Sequence, residues 1–345
     1  MVGPPILSGP ATSTDATSEA APESRAPAAG PLLTLWRVMR ANPLTLVGFL
    51  MVVLIGLTAL YVEAVPVITG LLGHSITGLP YPIFAPLYAP NSPPSPSHWF
   101  GTDSIGQDIF SVVVAATPLD LGIAFGVAGA SLIGGGALGL VTGYYDRPGT
   151  IGGVLATVVL RLTDIFLAFP SLVLALAVAE ALGRGTGAAI VAVLVTWWPY
   201  YVRLARGEVL SIRDQPYIMA ARAAGVRDRV ILIRHVLRNI AEPLVVYFTL
   251  DVGTVLITFS TISFLAIGTP YGVPEWGNLV QYYSNLNFPV DPWDVLFPGL
   301  AIFVTVLSFS LLGDGLRDIL DPRSRRILAQ PAARTPPTPP SAGGP

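Results

Sequence analysis

The 345-residue chain is 52% hydrophobic but only 12% charged, with a formal net charge of −2. Soluble domains carry about a quarter charged residues, so the composition points to a polytopic membrane protein. The absence of cysteine excludes disulfides, thiolate metal sites and cysteine nucleophiles. All 19 basic residues are arginine, and without lysine no Gly-x4-Gly-Lys-Ser/Thr phosphate loop can exist. The histidines, His74, His98 and His235, are too scattered for a metal cluster. No catalytic site and no cofactor bound by this chain are expected.

Residues 1 to about 30 are rich in Ala, Pro, Ser, Thr and Gly without an apolar period, which predicts a disordered tail. Trp36, Arg37 and Arg40 then lead into a first span from Leu44 to about Val65. A Pro- and Gly-rich external loop follows over 66–105 and contains His98-Trp-Phe-Gly-Thr-Asp-Ser-Ile-Gly-Gln-Asp-Ile-Phe110 at its end. The second span is expected from about Leu119 to Tyr145. Its Gly134, Gly135, Gly136, Gly139 and Gly143 let membrane helices approach closely.

After the turn at Asp146–Gly149, a third span runs from about Ile151 to Ala181. Pro170 interrupts its hydrogen-bond ladder. A turn at Gly183–Gly187 leads to a fourth span from about Ala188 to Leu204. The fifth is expected from about Pro243 to Ile267 and the sixth from about Val295 to Leu312, before a Pro-rich tail from Gln330. Arginines crowd the segment from Arg203 to Arg238 and follow the last span at Arg317, Arg323, Arg325 and Arg326. The positive-inside rule therefore places both termini and the loop that contains residues 217–239 in the cytoplasm. The expected fold is an all-α polytopic membrane protein of six transmembrane helices, N-in and C-in, with a cytoplasmic two-helix loop.

That loop, residues 217–239, is not built like a linker. The run Ala220, Ala221, Ala223, Ala224 favours a helix, and Gly225 is a helix stop that reaches left-handed backbone without a Cβ clash. A second periodic run places Val226, Val230, Ile233 and Leu237 on one stripe. Arg227, Arg234 and Arg238 line up beside it. An apolar ridge flanked by arginines suits a cleft in another protein or, equally, an anionic lipid surface.

Charges at membrane depth are costly and often functional. Asp251 lies deepest, about two turns into the fifth span, as a pathway or interhelical hydrogen-bonding group. Asp120 lies near a span end. Arg161 and Asp164 are spaced to pair with each other on one helix face. Trp197, Trp198, Tyr200 and Tyr201 precede Arg203 and read as an anchor at the cytoplasmic edge.

The loop resembles the EAA loop of binding-protein-dependent ABC importer permeases, which runs Glu-Ala-Ala, three residues, Gly, nine residues, then His-x-Leu-Pro-Asn. Ala220, Ala221, Gly225, His235, Leu237 and Asn239 match; Met219 stands where the Glu usually is and Arg238 where the Pro usually is. The 98–110 segment resembles the motif leading into the second span of the dipeptide and oligopeptide permeases, with Gln107 and Val112 replacing two usual arginines. Arg161, Asp164, Phe169 and Pro170 resemble a further family pattern. Leu311-Leu-Gly-Asp-Gly-Leu-Arg-Asp-Ile-Leu-Asp-Pro322 resembles the ending of the C-type subunit of dipeptide, oligopeptide and nickel permeases.

The resemblance implies a multi-pass permease of the cell membrane. Residues 32–118 would hold the first helix, the external loop and the segment leading inward. Residues 119–313 would form the importer transmembrane domain, and 314–345 a cytoplasmic tail. The implied partners are a second permease, two ATPase subunits that use ATP and Mg, and an external solute-binding protein, with membrane lipid around them and no nucleic acid. The loop, with Arg222, Arg227 and Arg234 among its contacts, would couple ATPase closure to the spans. Di- or oligopeptides are the first expected substrate, and nickel or another small solute the alternative. An ATP-independent secondary transporter or channel is the rival class, to which inverted repeats and broken polar helices would point.

Overall fold

The computed structural model describes residues 42–72, 88–286 and 290–320. The N-terminal tail, the Trp36–Arg40 approach, residues 73–87 of the long external loop and the C-terminal tail with Arg323, Arg325 and Arg326 lie outside the described residues. Within them the fold is all-α, and strand-like pairing is limited to an isolated Thr102–Asp108 bridge. The helices are α1 (Pro43–Leu72), α2 (Ile109–Tyr145), α3 (Ile151–Leu167), α4 (Ser171–Leu182), α5 (Thr186–Ile212), α6 (Pro216–Ala223), α7 (Asp228–Phe264), α8 (Trp276–Leu286) and α9 (Pro292–Leu320). Of these, α1, α2, α5, α7 and α9 are long and apolar enough to cross a membrane; α3 and α4 add a sixth crossing if they form one broken span.

Helix boundaries differ from the sequence expectation where capping chemistry lies outside the apolar run. The second span starts ten residues before Leu119. Asp108 caps it, accepting from the Ser111 backbone N–H at 2.9 Å and the Ser111 hydroxyl at 2.6 Å. The 98–110 motif is a tight capping turn. Asp103 Oδ1 accepts from the N–H groups of Ile105 at 3.0 Å and Gln107 at 2.7 Å, and His98 Nδ1 pairs with Asp108 at 3.1 Å. Burial pushes the Asp103 carboxyl above its ordinary value, opposed by those N–H groups. The expected third span is not one helix. Its chain bends by 92° between α3 and α4, because Pro170 supplies no N–H to continue the ladder and seats instead at the start of α4.

The central pair is α2 against α5. Gly135, Gly139 and Gly143 recur every four residues and face α5. A Cβ at Gly139 would lie 2.5 Å from the Val202 carbonyl oxygen, and one at Gly143 2.8 Å from Val209 Cβ, so only glycine allows this backbone approach. Gly134 faces open space. The main core is built from α2, α5, α7 and α9, with α4 and α8 contributing; a second core sits at the end of the bundle that carries α6. By contrast, α1 and α3 expose Leu54, Leu57, Leu60, Ile151, Val154 and Ile165. Apolar surface of that extent suits hydrocarbon and not water.

Candidate functional site

The candidate loop is a helix, a turn and a helix. Pro216 opens α6, a position that needs no N–H donor. At the turn, Gly225 has φ +75°, its N–H donates to the Arg222 carbonyl at 2.9 Å, and the Val226 N–H donates to the Ala221 carbonyl at 3.1 Å. These paired bonds are the Schellman stop, and Ala221 and Val226 both pack against the second core beneath it.

The second arm is not a separate helix. It begins at Asp228 and runs without interruption through Pro243 to Phe264, as one rod of 37 residues. The expected boundary at Pro243 is therefore corrected: the loop's second helix and the fifth span are a single element. Ile231–Val236 within it is π-helical, with each bond reaching one residue farther than in an α-helix. That shifts the inward face to Ile231, Leu232, Val236 and Ile240, which are buried. Of the expected stripe, Val226 packs inward, whereas Val230, Ile233 and Leu237 are 42%, 64% and 39% exposed. Arg227, Arg234 and Arg238 are exposed beside them.

The matched loop residues divide by burial. Ala220, Ala223 and Ala224 are exposed, as is Met219; Ala221 is half-buried. Asn239 Nδ2 donates to the His235 carbonyl at 2.6 Å and reaches Tyr217 Oη at 3.4 Å, tying the two arms together. Two arginines near the end of α5 fix the end of α2 next to the loop. Arg206 donates to the Thr142 carbonyl at 2.8 Å and to Asp146 Oδ2 at 2.6 Å; Arg213 donates to the Gly143 carbonyl at 3.0 Å. Cations there complement the C-terminal end of the α2 dipole.

Of the intramembrane polar residues, Asp251 takes the interhelical alternative of its two expected roles, whereas the others are placed differently from expectation. Asp251 is nearly closed to solvent in an interhelical cluster. It accepts from Trp197 Nε1 at 2.8 and 3.0 Å and from the Tyr201 hydroxyl at 2.8 Å. Trp197 and Tyr201 are thus buried partners of Asp251 and not interfacial anchors, because the α5 face that carries them turns towards α7. Asp164 does not pair with Arg161: it accepts from Arg203 Nη2 at 2.7 Å, since α3 lies alongside α5 and brings Arg203 within reach. Asp120 is not near the start of its helix, which begins at Ile109 and not at Leu119. It sits about three turns into α2, fully buried, and accepts from the Trp276 N–H at 3.1 Å.

Sequence reasoning missed Glu275. It is buried and caps α8 through the N–H groups of Gly277 at 2.9 Å and Asn278 at 2.8 Å. Burial pushes its carboxyl above its ordinary value. The acidic residue ahead of Trp276-Gly-Asn was its only local signal.

Comparison with known proteins accords with this architecture. Residues 135–326 match the family model described as binding-protein-dependent transport system inner membrane component. The chain is 39% identical over 254 residues to the dipeptide transport system permease protein DppC of Alkalihalophilus pseudofirmus, covering 70% of this chain and 81% of that one. It is 39% identical over 233 residues to the glutathione transport system permease protein GsiD of Pectobacterium atrosepticum, covering 68% and 75%. A chain of the inward-facing MetNI methionine ABC transporter superposes with a TM-score of 0.52 at 21% identity, covering 62% of this chain and 98% of that one, which is a likeness of fold. The chain belongs to the binding-protein-dependent transport system inner membrane component family: it is a multi-pass permease subunit of an ABC importer, a transport component and not an enzyme.

Proposed function

We propose that this permease forms half of a translocation path for di- or oligopeptides, and that an ATPase subunit drives it through residues 217–239. The observation that carries the coupling half is the exposed ridge of Val230, Ile233 and Leu237, flanked by Arg227, Arg234 and Arg238. Isolated large apolar side chains on a surface are ordinary, but a row of them on a rigid helix end is a surface made to be covered. The ridge stands on the same rod as the fifth span, so force applied there is delivered along a continuous helix. The exposed Ala220, Ala223 and Ala224 allow close seating of the other arm. A second permease, two ATPases that hold the ATP and Mg, and an external binding protein complete the assembly. The peptide assignment rests on the names of the two relatives, one a dipeptide and one a glutathione permease.

The cognate binding protein reports the substrate. Its thermal unfolding, measured against a panel of dipeptides, longer peptides, glutathione and nickel, is expected to rise with peptide ligands. At a ligand concentration one hundred times Kd the stabilisation is about 2.7 kcal/mol. Stabilisation by nickel alone would replace the peptide assignment with the metal one.

A further inference from the structure

Tyr144 is the penultimate residue of α2, yet its side chain is 1% exposed and reaches between the two arms of the 217–239 loop. Its hydroxyl donates to Asp228 Oδ1 at 2.7 Å. Asp228 is the first residue of the α7 rod. On the other side, the Arg222 guanidinium lies 5.0 Å from the centroid of the Tyr144 ring, and Arg222 Nε is 3.4 Å from the phenol oxygen. Arg222 belongs to α6. One side chain of the second span thus holds both arms, and Gly225 lies between its two partners.

The bond from phenol to carboxylate is charge-assisted; the Tyr144 ring is set in the apolar cluster of Leu140, Ile218 and Ile231, and the half-buried Asp228 meets its hydroxyl at the edge of that cluster. It has no capping task left to perform, because Arg206 and Arg213 already occupy the carbonyls at the end of α2. It joins residues 84 positions apart, so chain connectivity does not bring them together. Without it, the loop would be tied to the bundle through the backbones of α5 and α7 and the apolar packing beneath, with Arg206 and Arg213 holding α2 to the end of α5 and not to the two arms. With it, a displacement of the arms themselves reaches α2 directly.

We infer that Tyr144 and Asp228 are positioning residues that fasten the loop to the second span, so that the loop moves the second and fifth spans as one unit. The inference rests on the importer reading above. Because uptake by wild-type complex is measured alongside the variants, failure of the two readings can be told apart.

The test is peptide uptake per ATP hydrolysed, in liposomes containing the full complex and loaded binding protein. Tyr144→Phe keeps the ring and its contact with Arg222 but removes the hydroxyl; Asp228→Ala removes the acceptor. Each is expected to lower uptake per ATP roughly tenfold, within the ordinary range of coupling between sites, while the complex still assembles. The double variant should be no worse than either single one, since both break the same bond. Unchanged uptake per ATP in the single variants, or losses that add in the double, would overturn the inference. So would lower uptake that merely tracks a smaller amount of assembled complex, which assigns the pair to stability alone. Absence of ATP-driven uptake by wild-type complex would instead remove the importer reading, and this inference with it.

Discussion

Replacing Gly225 by valine is expected to leave the permease in the membrane and abolish ATP-driven uptake. A Cβ at Gly225 would meet nothing within 4 Å, so the cost is not a clash; it is the backbone, at φ +75°. A β-branched residue held there is strained by about 1–3 kcal/mol. The strain is relieved by rotating out of the left-handed region, which breaks the Gly225 and Val226 N–H bonds to Arg222 and Ala221. The arms then lose their fixed angle. None of the long apolar helices depends on that turn, so insertion should persist. Gly225→Asn, which tolerates left-handed backbone better, should retain most of the activity. The measurement is ATPase stimulation by loaded binding protein, together with uptake; wild-type values in Gly225→Val would mean that the angle between the arms is irrelevant.

The second large effect is expected at Asp251. Asp251→Ala leaves Trp197 Nε1 and the Tyr201 hydroxyl without their acceptor inside the bundle. Each orphaned buried donor costs about 1–3 kcal/mol, and membrane interiors fall at the low end because unfolded helices find partners there too. Thermal denaturation of the detergent-purified complex should therefore drop clearly for Asp251→Ala. It should drop far less for Asp251→Asn, which keeps an acceptor oxygen in the same place. Tyr201→Phe in the alanine background should restore part of the loss, since it removes one of the orphaned groups. Equal stability of wild type and Asp251→Ala would show that the cluster does not hold α5 to α7.

The sequence displayed what is local. Gly225 as the stop, the glycines that face α5, the turn after the third span and the apolar runs of the long helices are all set by residues within a turn or two of one another. What it concealed is what packing decides. Arg161 and Asp164 have ideal spacing for a pair on one helix, yet Arg203 from α5 takes the carboxylate. Trp197 and Tyr201 have the composition of an interfacial belt, and only the rotation of α5 against α7 shows that they serve Asp251. The Tyr144–Asp228 bond carries no sequence signal at all.

The stripe on the loop's second arm was legible only in part. Val230, Ile233 and Leu237 stand outside as the sequence suggested for a docking ridge, but Val226 lies in the turn before the helix and packs inward. The π-helical turn at Ile231–Val236 offsets the ladder, and Ile231, Leu232 and Val236 form the inward face. Likewise, Arg234 and Arg238 read as loop residues before a span that starts at Pro243, but proline is tolerated within membrane helices whose neighbours satisfy the freed carbonyl. The rod therefore continues through it.

The central claim is that an ATPase seats on the 217–239 loop. A single cysteine replacing Ala220, an exposed position in a chain without any other cysteine, tests it most directly. In vesicles that carry the assembled complex, a short thiol-directed photo-cross-linker at position 220 should join this permease to the ATPase subunit. A membrane-impermeant thiol reagent added outside intact cells should leave the same cysteine unlabelled. Absence of the adduct in an assembled, transporting complex, or labelling from outside, would contradict the claim.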